Sequence, residues 1–506
     1  AFAHDGGQEE IAWHFDGFKR KTNNYDVPDF TNDEGESSDQ LANSWLDNSA
    51  VNGGLSWITD KGLLGFSVGH IDSEYGIPGH HHHHEEEAET EEEHAEEGVF
   101  ARVKQDRYGL AGELYKPLAG IETLSFSSAL TRYQHHEIED GAIGTTFKND
   151  SFESRFTAEH ETFAGWHGVV GYHLQNSDYK AIGEEAFTPD TKTDSHALFV
   201  LEERSFGEFT AQLGARIEQV DYKASGIEFE HHHDEDEAEE HHAENVKNDF
   251  TAASVSAGLV WNFQPGYNWA LSVSRSERAP SAAELYSNGA HIATQTYELG
   301  LAYALDADGE ITQAETDFKK EVANNIDLTF RKFEGDFTFT YNLFYNKVHN
   351  YLYMKDSGLT MADLEAHEEE GHEEEHDHEH EGEEFSIFHY QQQDATLYGA
   401  EFAMAYQLTA EQELEFFIDS VRAKLDNGGD LPRIPPVKVG TGYSYSAQDW
   451  SATIDWTHYM KQNRVSAGES ATGSYQILDL GFSYYFNLND LDLTAFAKAN
   501  NLTDEL

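Results

Sequence analysis

The sequence contains no cysteine, only 9 proline residues and no run of 18 or more apolar residues. Without cysteine, neither a disulfide framework nor a thiolate metal site is possible. Without a long apolar run, transmembrane helices are excluded, because such a helix needs about 20 consecutive apolar residues. A strand that crosses a bilayer needs only about 9–11 residues with every second one apolar. The sequence therefore does not exclude a membrane protein built from β-strands.

Basic residues are also scarce. The 506 residues include 32 Lys and Arg against 95 Asp and Glu, which gives a formal net charge of −63. This balance excludes nucleic acid as a partner, because phosphate binding needs a basic face, and it concentrates cations around the chain. The sequence has no nucleophile elbow and no His-Glu-x-x-His helix. We therefore expect no enzymatic activity and no organic cofactor.

The chain is instead rich in aromatic residues, with 32 Phe, 25 Tyr and 8 Trp, and it shows a period of two. In Phe337–Leu343, Gly399–Tyr406 and Gln476–Tyr484, apolar residues occupy alternate positions. Strands of a soluble β-sandwich also alternate, but they average about 5–6 residues, whereas many segments here run to ten or so. We predict an all-β fold over residues 1–506, a transmembrane antiparallel β-barrel of about 22 strands with long extracellular loops.

Short turns alternate with long polar connections along the chain. Gln264–Asn268 and Phe333–Gly335 are examples of the short turns. Short periplasmic turns and long extracellular loops are typical of outer-membrane barrels. The predicted location is the outer membrane of a Gram-negative bacterium, in contact with its lipid and lipopolysaccharide.

Three tracts interrupt the alternation, at residues 80–97, 231–244 and 367–384. They hold 27 of the 95 acidic residues and 16 of the 29 histidines. None has enough apolar surface to fold alone, so we predict disordered, His- and acid-rich extracellular loops. The candidate metal ligands in these tracts are His80, His81, His82, His83, His84, His94, His231, His232, His233, His241, His242, His367, His372, His376, His378 and His380.

Imidazole and carboxylate groups together suit borderline divalent cations, zinc above all, with nickel and copper close behind. Near pH 7 most free histidine is neutral and available as a ligand. A loop that must become ordered on binding holds such an ion with modest affinity and exchanges it fast. The alternative interpretation is a solvated acidic surface, which is the usual role of a charge run. Three separate tracts that interleave histidine with acids favour metal capture.

One stretch resembles a known family. Residues Ser274–Thr294 and Tyr297–Gly300 read SRSERAPSAAELYSNGAHIAT and YELG. They resemble a strand and loop of the zinc-receptor branch of the TonB-dependent outer-membrane receptors. The Ser274–Thr294 pattern occurs in a much narrower group of proteins than the Asn500–Asp504 stretch, which is widespread among TonB-dependent barrels. The supporting stretches are Tyr75–Gly79, Gly183–Pro189, Leu431–Pro436 and Asn500–Asp504.

This resemblance implies energy-coupled uptake. In the family, a 22-stranded barrel is closed by an N-terminal plug, which the TonB–ExbB–ExbD complex remodels so that bound cargo passes. A plug and a TonB box do not occur in this chain, and no closing strand follows Asp504, so we expect these parts outside residues 1–506. The implied cargo is a zinc ion, with nickel or copper as alternatives, and we expect the receptor to be a monomer.

The family's discrete zinc site combines plug residues with barrel His and Glu. The candidates in this chain are His458 and Glu298 first, with His291 and Glu284 behind them. For any single one of these residues, the more common situation is a lumen-facing polar side chain that is hydrogen-bonded to the barrel wall. His135, His136 and His349 belong to that ordinary class. Arg275 and Arg278 are interpreted as lumen-lining charges or as partners of acidic residues.

Three functions remain open at this stage. The first is TonB-dependent import of zinc. The second is a TonB-dependent receptor for nickel, copper or a metal chelate. The third is a passive surface barrel whose loops only adsorb metal.

Overall fold

The computed structural model describes residues 1–31, 37–78, 98–139, 141–183, 186–227, 244–291, 294, 296–305, 311–314, 318–363, 385–489 and 491–504. These residues form 27 β-strands and a short α-helix, α1, and residues 361–363 are also helical. No helix in these ranges is both long and apolar enough to cross a membrane. The predicted His- and acid-rich tracts lie outside the described residues, except that Glu244 begins a strand.

The strands are long, and many exceed the ten or so residues expected from the sequence. The elements are β1 Phe2–Gln8, β2 Ile11–Thr22, β3 Asp26–Thr31, β4 Ser37–Gln40, β5 Leu46–Thr59, β6 Gly62–Gly76, β7 Phe100–Leu118, β8 Ile121–Glu139, β9 Ala142–Phe163, β10 Trp166–Gly183, β11 Asp190–Phe206, β12 Phe209–Ile227, β13 Glu244–Gln264, β14 Tyr267–Arg278, α1 Ala282–Tyr286, β15 Asn288–His291, β16 Thr296–Leu299, β17 Tyr303–Leu305, β18 Ile311–Gln313, β19 Glu321–Lys332, β20 Phe337–Thr360, β21 Ser386–Thr409, β22 Gln412–Leu425, β23 Gly428–Asp430, β24 Lys438–Ser446, β25 Trp450–Tyr459, β26 Tyr475–Leu488 and β27 Leu491–Ala499.

One sheet contains 23 of these strands, close to the predicted number of about 22. Successive long strands pair antiparallel, and β14 pairs with β19 across the elements inserted between them. The short strand β16 pairs parallel with β21 and so attaches that insertion to the sheet. Two hairpins, β3–β4 and β17–β18, form separate small sheets. The predicted all-β, antiparallel barrel architecture is confirmed.

The two faces of the sheet differ in chemistry because side chains alternate along each strand. On β8 to β10 one face carries Leu130, Phe156 and Val170, which are 38%, 49% and 51% exposed. The opposite face of β8 carries small polar residues such as Ser127 and Thr131. An apolar face towards lipid and a polar face towards the lumen is the arrangement of a transmembrane barrel.

Connections alternate between very short and long. The β9–β10 turn consists of Ala164 and Gly165, with φ of +50° and +82°. Two successive positive φ values are the type I′ geometry that matches the twist of a two-residue hairpin. Most connections at the other end of the strands are longer, as between β6 and β7 or between β20 and β21, although only two residues separate β8 from β9. The long connections therefore share one rim of the barrel.

The main buried cluster lies inside the barrel, where the described residues of the insertion between β14 and β19 pack against the wall. Leu285, Tyr286 and Leu299 of this insertion are fully buried. They contact the lumenal faces of β12, β13 and β21 through a shared apolar cluster that includes Phe250 and Ile387. The segment that carries the family-like motif therefore forms an insertion that is packed inside the lumen.

Candidate metal centre

The insertion begins with a helix cap. Ser281 has an extended backbone and caps α1, and its hydroxyl accepts from the Glu284 N–H at 3.2 Å. The Glu284 carboxylate accepts in return from the Ser281 N–H at 2.7 Å. This reciprocal capping box satisfies two of the amide groups that a helix start leaves without partners.

Glu284, one of the predicted metal ligands, also holds the insertion to the wall. Arg278 Nη1 and Nη2 donate to its two oxygens at 2.7 and 3.1 Å, and Nη2 also reaches Glu321 at 3.3 Å. A bidentate guanidinium–carboxylate pair is strong and fixed in geometry. In this structure the Glu284 carboxylate is thus engaged with β14 and the helix cap.

His291 and Glu298 are brought together as neighbours on the β15–β16 hairpin. Nδ1 of His291 lies 2.8 Å from Oε1 of Glu298. Glu298 is only 5% exposed, whereas about a third of the His291 side chain is exposed. The His291 ring stacks on Phe187, with centroids 4.7 Å apart. These contacts fix the ring plane and leave one edge of the imidazole towards open space.

That open space is a cavity of about 280 Å³ between the hairpin and the lumenal face of β8 to β10. Two imidazoles and one carboxylate border it, together with several aromatic rings. Its lining residues are Tyr133, His135, Glu137, Phe147, Lys148, Asn149, Tyr179, Phe187, Ala290 and His291.

His135 and Glu137 project to the cavity from the same face of β8. His135 Nε2 lies 3.8 Å from Glu137 Oε1, and Nδ1 lies 3.0 Å from the Tyr133 hydroxyl. The ring stacks on Phe147 at 4.4 Å. The sequence analysis interpreted His135 as an ordinary lumen-facing polar residue. The alternation of Tyr133, His135 and Glu137 on one strand face was the signal that could have indicated a shared site.

The adjacent His136 has a different environment. Because successive side chains point to opposite faces, its ring lies away from the cavity, where it bonds Gln134 at 2.7 Å and Thr146 at 2.8 Å. His349, placed in the same ordinary class, pairs with Asp394 at 2.7 Å. Arg275 pairs with Glu277 at 3.0 Å, as expected of an ion-pair partner.

His458 is not brought near the other candidates. On β25 it shares a face with Ile454 and Trp456, while Asp455 and Thr457 lie on the other face. Ile454 is 42% exposed on the apolar side of the sheet. The His458 ring lies parallel to that of Trp456, with an interplanar angle of 10°. The position of His458 therefore does not support a role as a lumenal metal ligand.

Within the described ranges, no three His, Asp or Glu side chains stand close enough together to hold a metal ion. The geometry offers two pairs across one cavity, His291 with Glu298 and His135 with Glu137. The histidines predicted in the three tracts lie outside the described residues.

The chain matches the family model described as "TonB dependent receptor-like, beta-barrel" over residues 11–502. It belongs to that family. TonB-dependent receptors are outer-membrane receptors and transporters rather than enzymes, so the predicted location and the absence of an enzymatic role agree with the family. The zinc-receptor branch stays a prediction.

Several solved TonB-dependent receptors share the fold of this one. A copper transporter, OprC, superposes with a TM-score of 0.75 at 14% identity, over 99% of this chain and 71% of OprC. The FrpB iron transporter from Neisseria meningitidis (F3-3 variant) gives 0.67 at 10% identity, over 99% and 74%. The ferric yersiniabactin uptake receptor FyuA from Yersinia pestis gives 0.65 at 12% identity, over 100% and 72%. Identities this low establish the fold alone.

Proposed function

We propose that this TonB-dependent receptor imports a divalent transition-metal ion, most favourably zinc, through a lumenal site that contains His291. The observation that carries the proposal is the His291–Glu298 pair at the cavity wall. A buried carboxylate that accepts from one imidazole nitrogen is the usual way to orient a metal-binding histidine. Imidazole with carboxylate suits zinc, nickel and copper rather than calcium or magnesium.

The size of the cavity favours an ion over a chelate. Sites for organic ligands usually enclose about 300–1,000 Å³, and the cavity beside His291 has about 280 Å³. One water takes up about 30 Å³, so this space holds a cation with several waters. A siderophore-sized ligand needs more room than this cavity provides.

The His- and acid-rich tracts have a separate role in this proposal. They serve as a cation-concentrating antenna at the rim of the barrel, and they hand ions to the sparser ligands below. A charge of −63 raises the local cation concentration, and the interleaved histidines favour transition metals over alkali and alkaline-earth ions. The TonB–ExbB–ExbD complex supplies the energy through the plug, as in the family.

Uptake of radioactive zinc by cells that express the full-length receptor tests the cargo. We expect saturable uptake that requires TonB and that resists equal concentrations of nickel and copper. Stronger competition by nickel or copper would transfer the proposal to that metal, and copper is the first alternative because a copper transporter has the same fold. Uptake of zinc only as a chelate, or without TonB, contradicts the proposal.

A second experiment isolates the tracts. In one variant all tract histidines are replaced by asparagine while the acids remain, and in another the tracts are deleted. We expect the asparagine variant to lose uptake mainly at low external zinc. It lacks the histidines that hold zinc, but it retains the negative charge that attracts cations. Uptake equal to the parent at every zinc concentration in both variants rules out the antenna.

A further inference from the structure

A repeated charge pattern crosses one part of the barrel wall. Six of the seven strands from β7 to β13 carry a lysine and an aspartate separated by one residue, and the lysine is always nearer the rim with the long connections. We call this set of lysines and aspartates the Lys–Asp belt. Its triplets read KQD, KND, DYK, KTD, DYK and KND, at residues 104–106, 148–150, 178–180, 192–194, 221–223 and 247–249.

The order of the two charges follows the direction of the strand. Strands that run away from the long connections read Lys before Asp, and the antiparallel strands β10 and β12 read Asp before Lys. The same layering of charge is therefore written in both chain directions. On β8, which has no such triplet, Arg132 lies opposite Asp106 and Asp150.

The belt lies on the outer face of the wall. On β12, Tyr222 belongs to the apolar cluster that packs against the lumenal insertion. Because side chains alternate along a strand, Asp221 and Lys223 point outward. They share that face with Ile217, which is 52% exposed. Directly opposite residues of paired strands share a face, and one unbroken register row connects β7 with β13. The other strands of the belt therefore have the same orientation.

The belt begins where the apolar band ends. On β9, Asp150 is the next outward residue after Phe152, which is 38% exposed. On β12, only Gln219 separates Asp221 from Ile217 on that face. Each lysine lies two residues, or about 7 Å along the strand, farther towards the long connections. Long connections of an outer-membrane barrel are extracellular, so the belt lies at the level of the headgroups of the outer leaflet.

Within the belt, charges of one sign face each other. Across β11 to β13, three lysines form one register row, and three aspartates form a second row closer to the apolar band. These rows consist of Lys192, Lys223 and Lys247, and of Asp194, Asp221 and Asp249. Like charges directly opposite each other destabilise a sheet. An arrangement that served only internal ion pairing would place lysine opposite aspartate.

The ion pairs of the belt offset only part of this repulsion. Lys192 pairs with Asp178 at 3.0 Å, and Lys223 pairs with Asp194 at 3.6 Å. More than half of each of these two lysine side chains is exposed, and exposed pairs contribute little to stability. The lysine row is therefore accessible to an anion, and the aspartate row to a cation.

We propose that the Lys–Asp belt is a docking surface for the headgroup of lipopolysaccharide. This lipid occupies the outer leaflet, and divalent cations cross-link its phosphate groups. The lysine row contacts phosphate, as basic residues do at anionic lipid surfaces. The aspartate row supplies the oxygen ligands that Mg²⁺ and Ca²⁺ prefer, and the bound cation also contacts a phosphate. A headgroup that contains both charges matches two rows of opposite sign.

The neighbouring surface fits the same occupant. The acyl chains of a docked molecule cover the apolar residues directly below the belt, such as Phe152 and Ile217. A free phosphate or a soluble polyanion makes no use of that continuity between charged and apolar surface. The docking surface is separate from the lumenal site, so the inference does not depend on which metal the receptor imports.

The test uses the full-length receptor, purified in a non-ionic detergent and freed of copurified lipid. Titration with fluorescent rough lipopolysaccharide measures affinity in magnesium and in EDTA. Dephosphorylated lipopolysaccharide and phosphatidylglycerol are the comparison ligands. The lysine variant combines Lys192→Gln with Lys223→Gln. Its matched control combines Lys61→Gln with Lys116→Gln, which removes the same charge at or beside short turns of the other rim. Resistance to unfolding in dodecyl sulfate confirms the folding of each variant.

We expect the lysine variant to bind lipopolysaccharide about 10–30-fold more weakly than the parent, and the control to match the parent. Dephosphorylated lipopolysaccharide should bind weakly to both. An equal loss in the control reduces the effect to overall charge and overturns the proposal. Parent affinity for phosphatidylglycerol as high as that for lipopolysaccharide, with the same loss in the lysine variant, replaces the occupant by an anionic phospholipid.

Asp221→Asn combined with Asp249→Asn tests the second row with the opposite sign. The parent should bind lipopolysaccharide more tightly in magnesium than in EDTA. The aspartate variant should lose this enhancement, yet bind in EDTA at least as tightly as the parent, because two charges that repel phosphate are removed. A magnesium effect that persists unchanged in this variant shows that the aspartates hold no bridging cation.

Discussion

Nδ1 of His291, on β15, and Oε1 of Glu298, on β16, are 2.8 Å apart. Glu298 is 5% exposed, and an unpaired carboxylate at such a position is costly. The histidine therefore satisfies the carboxylate, and the carboxylate fixes the histidine. This mutual dependence places an oriented imidazole at the edge of a cavity.

Glu298→Gln separates an orienting role from a ligating one. The glutamine carbonyl still accepts from His291 Nδ1, but the negative charge that strengthens the imidazole as a ligand is lost. We expect zinc affinity of the purified receptor to fall by about 10–100-fold, less than for His291→Ala. Glu401→Gln, at another lumenal carboxylate, is the control. A loss as large as that of His291→Ala would make Glu298 a direct ligand.

Glu284→Ala removes both the capping box and the Arg278 pair, and its effect should be structural. We expect the insertion to lose about 1–2 kcal/mol of local stability, as on loss of a helix cap. Hydrogen exchange at Leu285 and Tyr286 measures this loss. Glu284→Gln retains a side-chain acceptor for the Ser281 N–H and should lose less. Zinc affinity should remain that of the parent in Glu284→Gln, and a fall of tenfold or more contradicts the structural assignment.

Gly300→Ala tests the packing of the insertion at a close backbone approach. A Cβ at this position would lie 2.5 Å from the Leu285 carbonyl oxygen and 2.7 Å from the Tyr286 nitrogen. Neither backbone atom can move without shifting α1. We expect local stability of the insertion to fall by about 1–3 kcal/mol, measured by hydrogen exchange at Leu299. Gly473→Ala is the control, because no atom lies within 4 Å of its added Cβ. Equal effects of the two substitutions would refute this account.

The fold follows from the sequence because strand alternation and turn chemistry are local signals. The inward folding of the described residues between β14 and β19 is not a local signal. Leu285 and Leu299 read as ordinary apolar residues, and their partners Phe250 and Ile387 come from strands elsewhere in the chain. The motif therefore indicated the family, but it did not reveal that its apolar residues pack against the lumenal wall.

The candidate site was predictable in part for the same reason. His291 and Glu298 lie close in sequence and flank one turn, so their proximity could be expected. His135 joins them only through the curvature of the wall, which brings β8 opposite the insertion. The orientation of His458 was readable in advance, since Ile454, Trp456 and His458 alternate with Asp455 and Thr457.

Glu469 joins two connections at the rim with long segments, and its contacts predict a pH dependence. It lies between β25 and β26, and its carboxylate accepts from the Arg433 N–H at 2.6 Å and the Ser466 N–H at 2.9 Å. Partial burial raises the pKa of Glu469, but these amide donors outweigh burial and hold the pKa below its ordinary value of 4.5. Arg433 itself has a positive φ of +58°.

A carboxylate with a depressed pKa stabilises the folded state above its ordinary pKa, and the contribution is lost as pH falls through the folded value. We expect protection of the Arg433 and Ser466 amides, corrected for intrinsic exchange, to be constant above pH 5 and to fall progressively below about pH 4.5. Glu469→Gln should show the low protection at every pH. Protection in Glu469→Gln that still falls over the same pH range would assign the effect to another group.

His458→Phe tests the outward orientation of a residue that the sequence had placed first among the ligands. The ring shares its face with Trp456 and the exposed Ile454, so an apolar ring of similar size should be accommodated without loss of barrel stability. We expect zinc affinity and TonB-dependent uptake to equal those of the parent. His291→Ala, measured in parallel, should weaken binding strongly and shows that the assay detects loss of a ligand. A weakening by His458→Phe comparable to that of His291→Ala would restore His458 as a ligand and require the strand to present it elsewhere than on the apolar face.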